Sequence, residues 1–201
     1  SHKSEFLVCG IFEGEKIDAT VDKLVDSNLS KAVKTDSFKG NYKKNIFVYG
    51  ETVKRLLLLG LGKKKKYSTD RSREIGAIIA SHANTSTVKS LSIYTKSFNL
   101  SNSKYSQSLT EGLVLGDYQF LDYKTVDAKP YSLNHVVFVG KYDKNSQRLA
   151  SCIGSGVNYS RNLGNHPANV LTPTYLGKEA VRISKAKNMK SKIIDVKDFT
   201  K

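Results

Sequence analysis

One stretch carries residues whose types and spacing could do chemistry: the apolar run Leu56-Leu57-Leu58-Leu59, then Gly60-Leu61-Gly62, then Lys63-Lys64-Lys65-Lys66. A buried strand that ends in glycines and runs into cations is where α/β proteins hold phosphates, since backbone N–H groups and ammonium groups can meet on one anion. The glycine spacing is neither that of a P-loop nor that of a dinucleotide fingerprint. Lys63, Lys64, Lys65 and Lys66 therefore stand as candidate contacts for an anion or a nucleic-acid backbone, although lysines on a loop are more often simply solvated. Other chemistry is harder to find. His82 has no Cys, Asp or second His at ligand spacing beside it, so it reads as a histidine at the edge of the core. There is no His-Glu-x-x-His, no Gly-x-Ser-x-Gly and no cysteine with a placed histidine. No catalytic residue and no metal ligand is identifiable, and the 18 acidic residues are dispersed.

The charge balance is basic: 33 Lys and Arg against 18 Asp and Glu give a net charge of +15. That excess invites nucleic acid as a partner. The lysines are spread through every segment, however, and aromatic residues are not interleaved with them as stacking platforms. A basic surface that keeps the protein soluble is the preferred reading. Cys9 and Cys152 are far apart in apolar surroundings, which is neither a disulfide framework nor a zinc pattern. Both are expected to be buried free thiols in a reducing cytoplasm. No apolar run approaches the roughly 20 residues that span a bilayer, and no signal peptide is visible.

The elements that would position these residues alternate. Glu5 to Phe12 is apolar at nearly every position, as in a strand covered on both faces. Asp18 is placed to cap a helix running to about Val33, with Val21, Leu24, Val25 and Leu29 on one face. Lys44–Tyr49 and Val53–Leu61 read as strands joined by a hairpin through Gly50-Glu51, and Ser68 to about Ala83 as a helix. Val88–Tyr94 is a strand, and Tyr105–Tyr118 a helix whose Gly112 and Gly116 let one face approach the sheet closely. An irregular loop from Asp122 to Leu133 precedes a strand at His135–Val139. A long helix from Asn145 to Leu163 follows, with Leu149, Ile153 and Gly156 facing inward. Gly164 can close that helix in the left-handed conformation, and Pro167 forbids its continuation. Thr172-Pro173 starts a new helix to about Lys187, and Ile193–Val196 reads as a strand. Strands alternating with helices give an α/β class, with helices on both faces of a mixed sheet.

Three segments, in order, resemble one family. Leu59-Gly60-Leu61-Gly62-Lys63, then Glu111-Gly112 through Gly116, Tyr118, Phe120 and Tyr123-Lys124, then Asn162-Leu163-Gly164-Asn165 through Pro167, Asn169, Leu171-Thr172-Pro173 and Tyr175-Leu176 are similar to the N-terminal domain and interdomain segment of the leucyl (cytosol) aminopeptidases. The resemblance implies a three-layer α/β/α, macro-domain-like fold with a mostly parallel sheet over residues 1–164. It also implies a hinge at 165–172, and at 173–201 the first helix and strand of a catalytic domain. The family's catalytic segment Asn-Thr-Asp-Ala-Glu-Gly-Arg does not occur in this sequence. A two-metal hydrolase needs such a carboxylate cluster, so the chain is expected to hold no cofactor. The parent enzyme would bind two divalent metals, zinc or manganese, act on peptide N-termini in the cytoplasm, and assemble as a homohexamer around its own catalytic domains. Two other functions compete with this one: a nucleic-acid-binding module using the basic surface, and a nucleotide or ADP-ribose binder by analogy of fold.

Overall fold

The leucine run is the middle of a strand, Arg55–Gly62, whose residues from Leu56 onward are buried. Side chains on a strand alternate between faces. Leu57, Leu59 and Leu61 accordingly join one core cluster, while Leu56 and Leu58 join another on the opposite face. A computed structural model describes residues 5–126, 129–131 and 133–199. In it the strands are β1 (Phe6–Phe12), β2 (Asn45–Val48), β3 (Arg55–Gly62), β4 (Ser90–Tyr94) and β5 (His135–Val139). They form one sheet in the order β2-β3-β1-β4-β5, with only β2 antiparallel to its neighbour. The helices are α1 (Ala19–Lys23), α2 (Asn28–Thr35), α3 (Thr69–Thr85), α4 (Ser103–Gly116), α5 (Lys144–Asn165), α6 (Pro173–Ala186) and α7 (Val196–Phe199). Val21 of α1 and Leu29 of α2 pack under one face of the sheet; Ile75 and Ile79 of α3 and Leu109 of α4 pack under the other. The expected α/β architecture, with a mixed, mostly parallel sheet between helices, is the one observed. Asp127, Ala128 and Ser132 of the expected loop, and Thr200 and Lys201 of the expected last segment, lie outside the described residues.

The chain divides into two compact units, Ser1–Asn158 and Tyr159–Lys201. In the first unit several local expectations change. The helix expected from Asp18 to Val33 is two helices, broken where Asp26 and Ser27 take positive φ. Asp22 makes that break tolerable: its carboxylate accepts from the Ser30 N–H at 3.0 Å and so caps the second helix from outside it. Asp18 does cap α1, accepting from the Thr20 N–H at 2.9 Å. On α5 it is Ala150 and Gly154 that are buried; Leu149 and Ile153 are 52% and 41% exposed. The inward face therefore lies one residue further along than the apolar spacing indicates, because only small side chains fit there. Cys152 is exposed on the same helix, and only Cys9 is buried.

The glycines of α4 approach a helix, not the sheet. A methyl group on Gly112 would stand 1.9 Å from the Arg73 carbonyl oxygen of α3, and one on Gly116 would stand 2.7 Å from Ala77 Cα. The sheet-facing side of α4 needs full-sized residues to fill the core, so the small ones go to the helix–helix contact.

In the second unit, Gly164 lies within α5 without a positive φ, and the helix runs on to Asn165. Pro167 then accepts from the Val170 N–H at 2.8 Å, and Thr172 caps α6 by accepting from the Tyr175 N–H, with proline in the first turn. Ile193 to Val196 form no strand: residues 191–195 are irregular and Val196 opens α7. A strand needs a neighbour to share its ladder, and the five-stranded sheet takes in no residue of this segment.

Candidate functional site

In the glycine–lysine stretch the glycines serve packing of the strand against its neighbours. Gly60 and Gly62 belong to β3 itself. A methyl group on Gly60 would fall 2.0 Å from the Asn41 carbonyl oxygen, so this glycine admits the Gly40-Asn41 backbone and not a ligand. Lys64–Lys66 form a single 3-10 turn, and all four lysines from Lys63 to Lys66 are exposed. Lys64 lines a cavity, and its Nζ meets Glu15 Oε1 at 2.7 Å.

That cavity, of about 520 Å³, lies beyond the carboxyl ends of β1 and β4. β1 supplies the floor with Cys9, Gly10 and Ile11; the segment after β1 supplies Lys16, Ile17 and Asp18; the turn after β4 supplies Lys96, Ser97 and Asn99. The two strands pair only at Leu7–Ser92 and Val8–Ile93. Beyond that point Ser97 Oγ takes the ladder's place, accepting from the Gly10 N–H at 2.9 Å and donating to the Tyr94 carbonyl at 2.7 Å. Asp18 ties the two sides together: it also accepts from the Tyr94 hydroxyl at 3.1 Å and from Lys96 Nζ at 3.2 Å. The Thr20 N–H first, with Lys96 and Tyr94 adding to it, holds the Asp18 carboxyl below its usual range against the opposing effect of burial. Burial and then Asp18 push the Tyr94 hydroxyl up. Asp18 likewise raises Lys96, which stays an ammonium.

The two nucleophile candidates of the lining, Cys9 and Ser97, are both restrained. Burial pushes the Cys9 thiol far up, and a protonated thiol is a poor nucleophile. Ser97 Oγ is held by two backbone partners, and no histidine lines the cavity. Among the described residues no three of His, Cys, Asp and Glu come together as a metal site. His82 lies at the core edge as expected, its ring edge-on to Phe47 at 5.5 Å. The cavity's cations were invisible as a group in the sequence because they come from three separate segments. The available signal was their position: each follows the carboxyl end of a strand, where open α/β sheets place their sites.

The Glu111-Gly112 segment resolves into a packing device. Glu111 is buried, with Oε2 at 2.9 Å from Arg73 of α3 and Oε1 accepting from Gln107 at 2.8 Å. One turn of α4 thus grips the same residue of α3 twice, through the Arg73 guanidinium and through its carbonyl against Gly112.

Residues 8–127 match the family model described as the N-terminal domain of the cytosol aminopeptidase family. The chain belongs to this family. Probable cytosol aminopeptidases of Aquifex aeolicus and Nostoc punctiforme are 26% and 30% identical to it, over 98% and 97% of the chain. The chain spans about 41% of the length of each of these relatives. Among solved structures, a tomato leucine aminopeptidase mutant superposes on the whole chain with a TM-score of 0.84 at 20% identity, the chain covering 43% of it. The bottromycin maturation enzyme BotP in complex with Mn superposes on 92% of the chain with a TM-score of 0.68 at 17% identity, the chain covering 37% of it. Identities this low establish a shared fold. Among the described residues no helix is long and apolar enough to cross a membrane.

Proposed function

We propose that this chain is the non-catalytic N-terminal part of a cytoplasmic, metal-dependent leucyl aminopeptidase, and that it serves assembly of the enzyme and access of peptides to its active site. One observation carries the reading: curated cytosol aminopeptidases match nearly the whole chain while extending to more than twice its length. On this reading residues 165–172 are the hinge and residues from 173 onward begin the catalytic domain, the N-terminal part's principal partner. The enzyme is a homohexamer. Its two divalent cations, zinc or manganese, do not fit the described residues here, which offer no cluster of ligands. Their ligands would lie in the catalytic domain, and no step of hydrolysis is assigned to this chain.

The test uses a relative with and without its corresponding N-terminal part, and a chimera carrying residues 1–172 of this chain in that place. The chimera should hydrolyse leucyl amides with manganese and sediment as the intact relative does. The truncated relative should lose its hexameric mass or change its preference for peptide length. A truncated relative unaltered in both respects would overturn the assigned role. Metal-dependent turnover by the highly purified 201-residue chain alone would overturn its non-catalytic status.

A further inference from the structure

β1 and β4 are parallel neighbours whose connections leave on opposite faces. From β1 the chain turns to α1 and α2 on one side; from β4 it turns to α4 on the other. Such a divergence opens a crevice beyond the carboxyl ends of the two strands, and crevices of this origin are where open α/β sheets take ligands. The cavity described above lies in this crevice, and its volume is in the range of small-molecule sites.

The lining decides the sign of a ligand. Three ammonium groups, Lys16, Lys64 and Lys96, stand around it with two carboxylates, Glu15 and Asp18. Both carboxylates are already engaged, Glu15 by Lys64 and Asp18 by Lys96, Tyr94 and the Thr20 N–H. Lys16 has no carboxylate within 4 Å among the described residues. An incoming cation would have to displace an ammonium from its partner; an incoming anion finds Lys16 open and two more ammonium groups beside it. Ile11, Ile17, Phe12 and Tyr105 supply apolar wall, which a bare inorganic anion would leave unused. The geometry points to a binding site for a small organic anion, an apolar body of one or two rings' size bearing a phosphate or a carboxylate, with Lys16 as its open charge contact. This inference does not depend on the aminopeptidase reading.

Nuclear magnetic resonance titration of the 201-residue chain tests it, with AMP as the phosphate probe and N-acetyl-leucine as the carboxylate probe. Adenosine and N-acetyl-leucinamide are the uncharged counterparts; inorganic phosphate and acetate are the bare anions. At least one complete probe should shift the Gly10, Ile17 and Ser97 amides saturably and bind about tenfold or more tighter than its uncharged counterpart and its bare anion. A response to AMP alone assigns a phosphate ester; a response to N-acetyl-leucine alone assigns a carboxylate. Lys16→Glu, at an exposed position, should weaken binding by about tenfold. Lys89→Glu, just before the amino end of β4, should not. Ile17→Trp, which fills the cavity, should abolish binding whatever becomes of the charge variants. Three results would overturn the site: no saturable shift with either probe, bare phosphate binding as tightly as AMP, or Lys89→Glu weakening binding as much as Lys16→Glu.

Discussion

Gly112 has a backbone oxygen where any other residue would have a methyl group. Alanine there would meet the Arg73 carbonyl at 1.9 Å, and backbone cannot swing aside as a side chain does. We expect Gly112→Ala to cost about 1–3 kcal/mol as overpacking, despite alanine's better helix propensity. Gly156 is the internal control: it is also helical and has open space around its Cα, so Gly156→Ala should gain about 0.5–1 kcal/mol. Urea unfolding of the two variants decides; equal effects would mean that α3 and α4 are not in the close contact described. His82 gives a pH signature at the same scale. Burial holds its imidazole below the ordinary 6.5. The unfolded chain therefore binds the proton more readily than the folded one, and stability, full above pH 6.5, falls as the pH drops through the folded value. His82→Phe should flatten the loss between pH 7 and about pH 5, a window above that of the lowered carboxylates Asp18 and Glu74. An unchanged slope would place the histidine in solvent.

At the scale of elements, α5 makes a sharp test because its exposed face is the more apolar one. Replacing Leu149, Ile153 and Val157 by serine should change stability by no more than about 0.5 kcal/mol per site. Ala150→Leu, at a position with no exposed surface, should cost about 1–3 kcal/mol. The reverse ranking in thermal melts would restore the face that spacing alone indicates. The lysine turn supplies another case. If the basic surface meets duplex DNA, binding should be weak and fall steeply with salt, and changing Lys63 through Lys66 together to alanine should flatten that slope. Tight, sequence-selective binding at physiological salt would contradict the reading of these lysines as solvated. These elements also show what a sequence can and cannot disclose. The Leu56–Leu59 strand, the Asp18 cap and the Thr172-Pro173 start were legible because each signal is local: an apolar run, a capping side chain, a fixed φ. The break between α1 and α2 was not, since it depends on Asp22 reaching Ser30. The inward face of α5 was not either, since the space left beside Val114 decides it. Ile193–Val196 has a strand's composition and lacks a strand's neighbour.

At the scale of the whole molecule, the two units differ in what they bury. Ser1–Asn158 holds both core clusters on the two faces of the sheet. Within Tyr159–Lys201, Leu176, Ile193, Ile194 and Val196 are all at least half exposed, and the tie of Tyr159 and Arg182 to Glu179 is polar. Local openings are cheapest where few apolar groups are buried, so the amides of α6 should exchange with solvent well before those of Leu56–Leu59 in a dilute sample. Equal protection would mean that all 201 residues unfold as one. The crevice belongs to this scale too, which is why no single segment announced it: it exists only because β4 joins the sheet on the side of β1 away from β3.

That late arrival of β4 bears on how the chain folds as it is synthesised. The first 62 residues contain β1, β2 and β3 entire, paired along the full length of β1 from Phe6–Arg55 to Phe12–Gly62. The remaining half of the sheet attaches to β1 through Leu7–Ser92 and Val8–Ile93 alone. Chains leave the ribosome N-terminus first, at about 5–20 residues per second, so the three-strand half is complete for seconds before β4 and then β5 emerge. During that interval the far edge of β1 is an unpaired parallel edge with Phe6 and Val8 on it, the kind of surface that invites a wrong partner. The slow, aggregation-exposed stage of this fold's assembly is thus the wait for residues 90–94, and a chain stalled between residues 62 and 90 is the species a holding chaperone would meet.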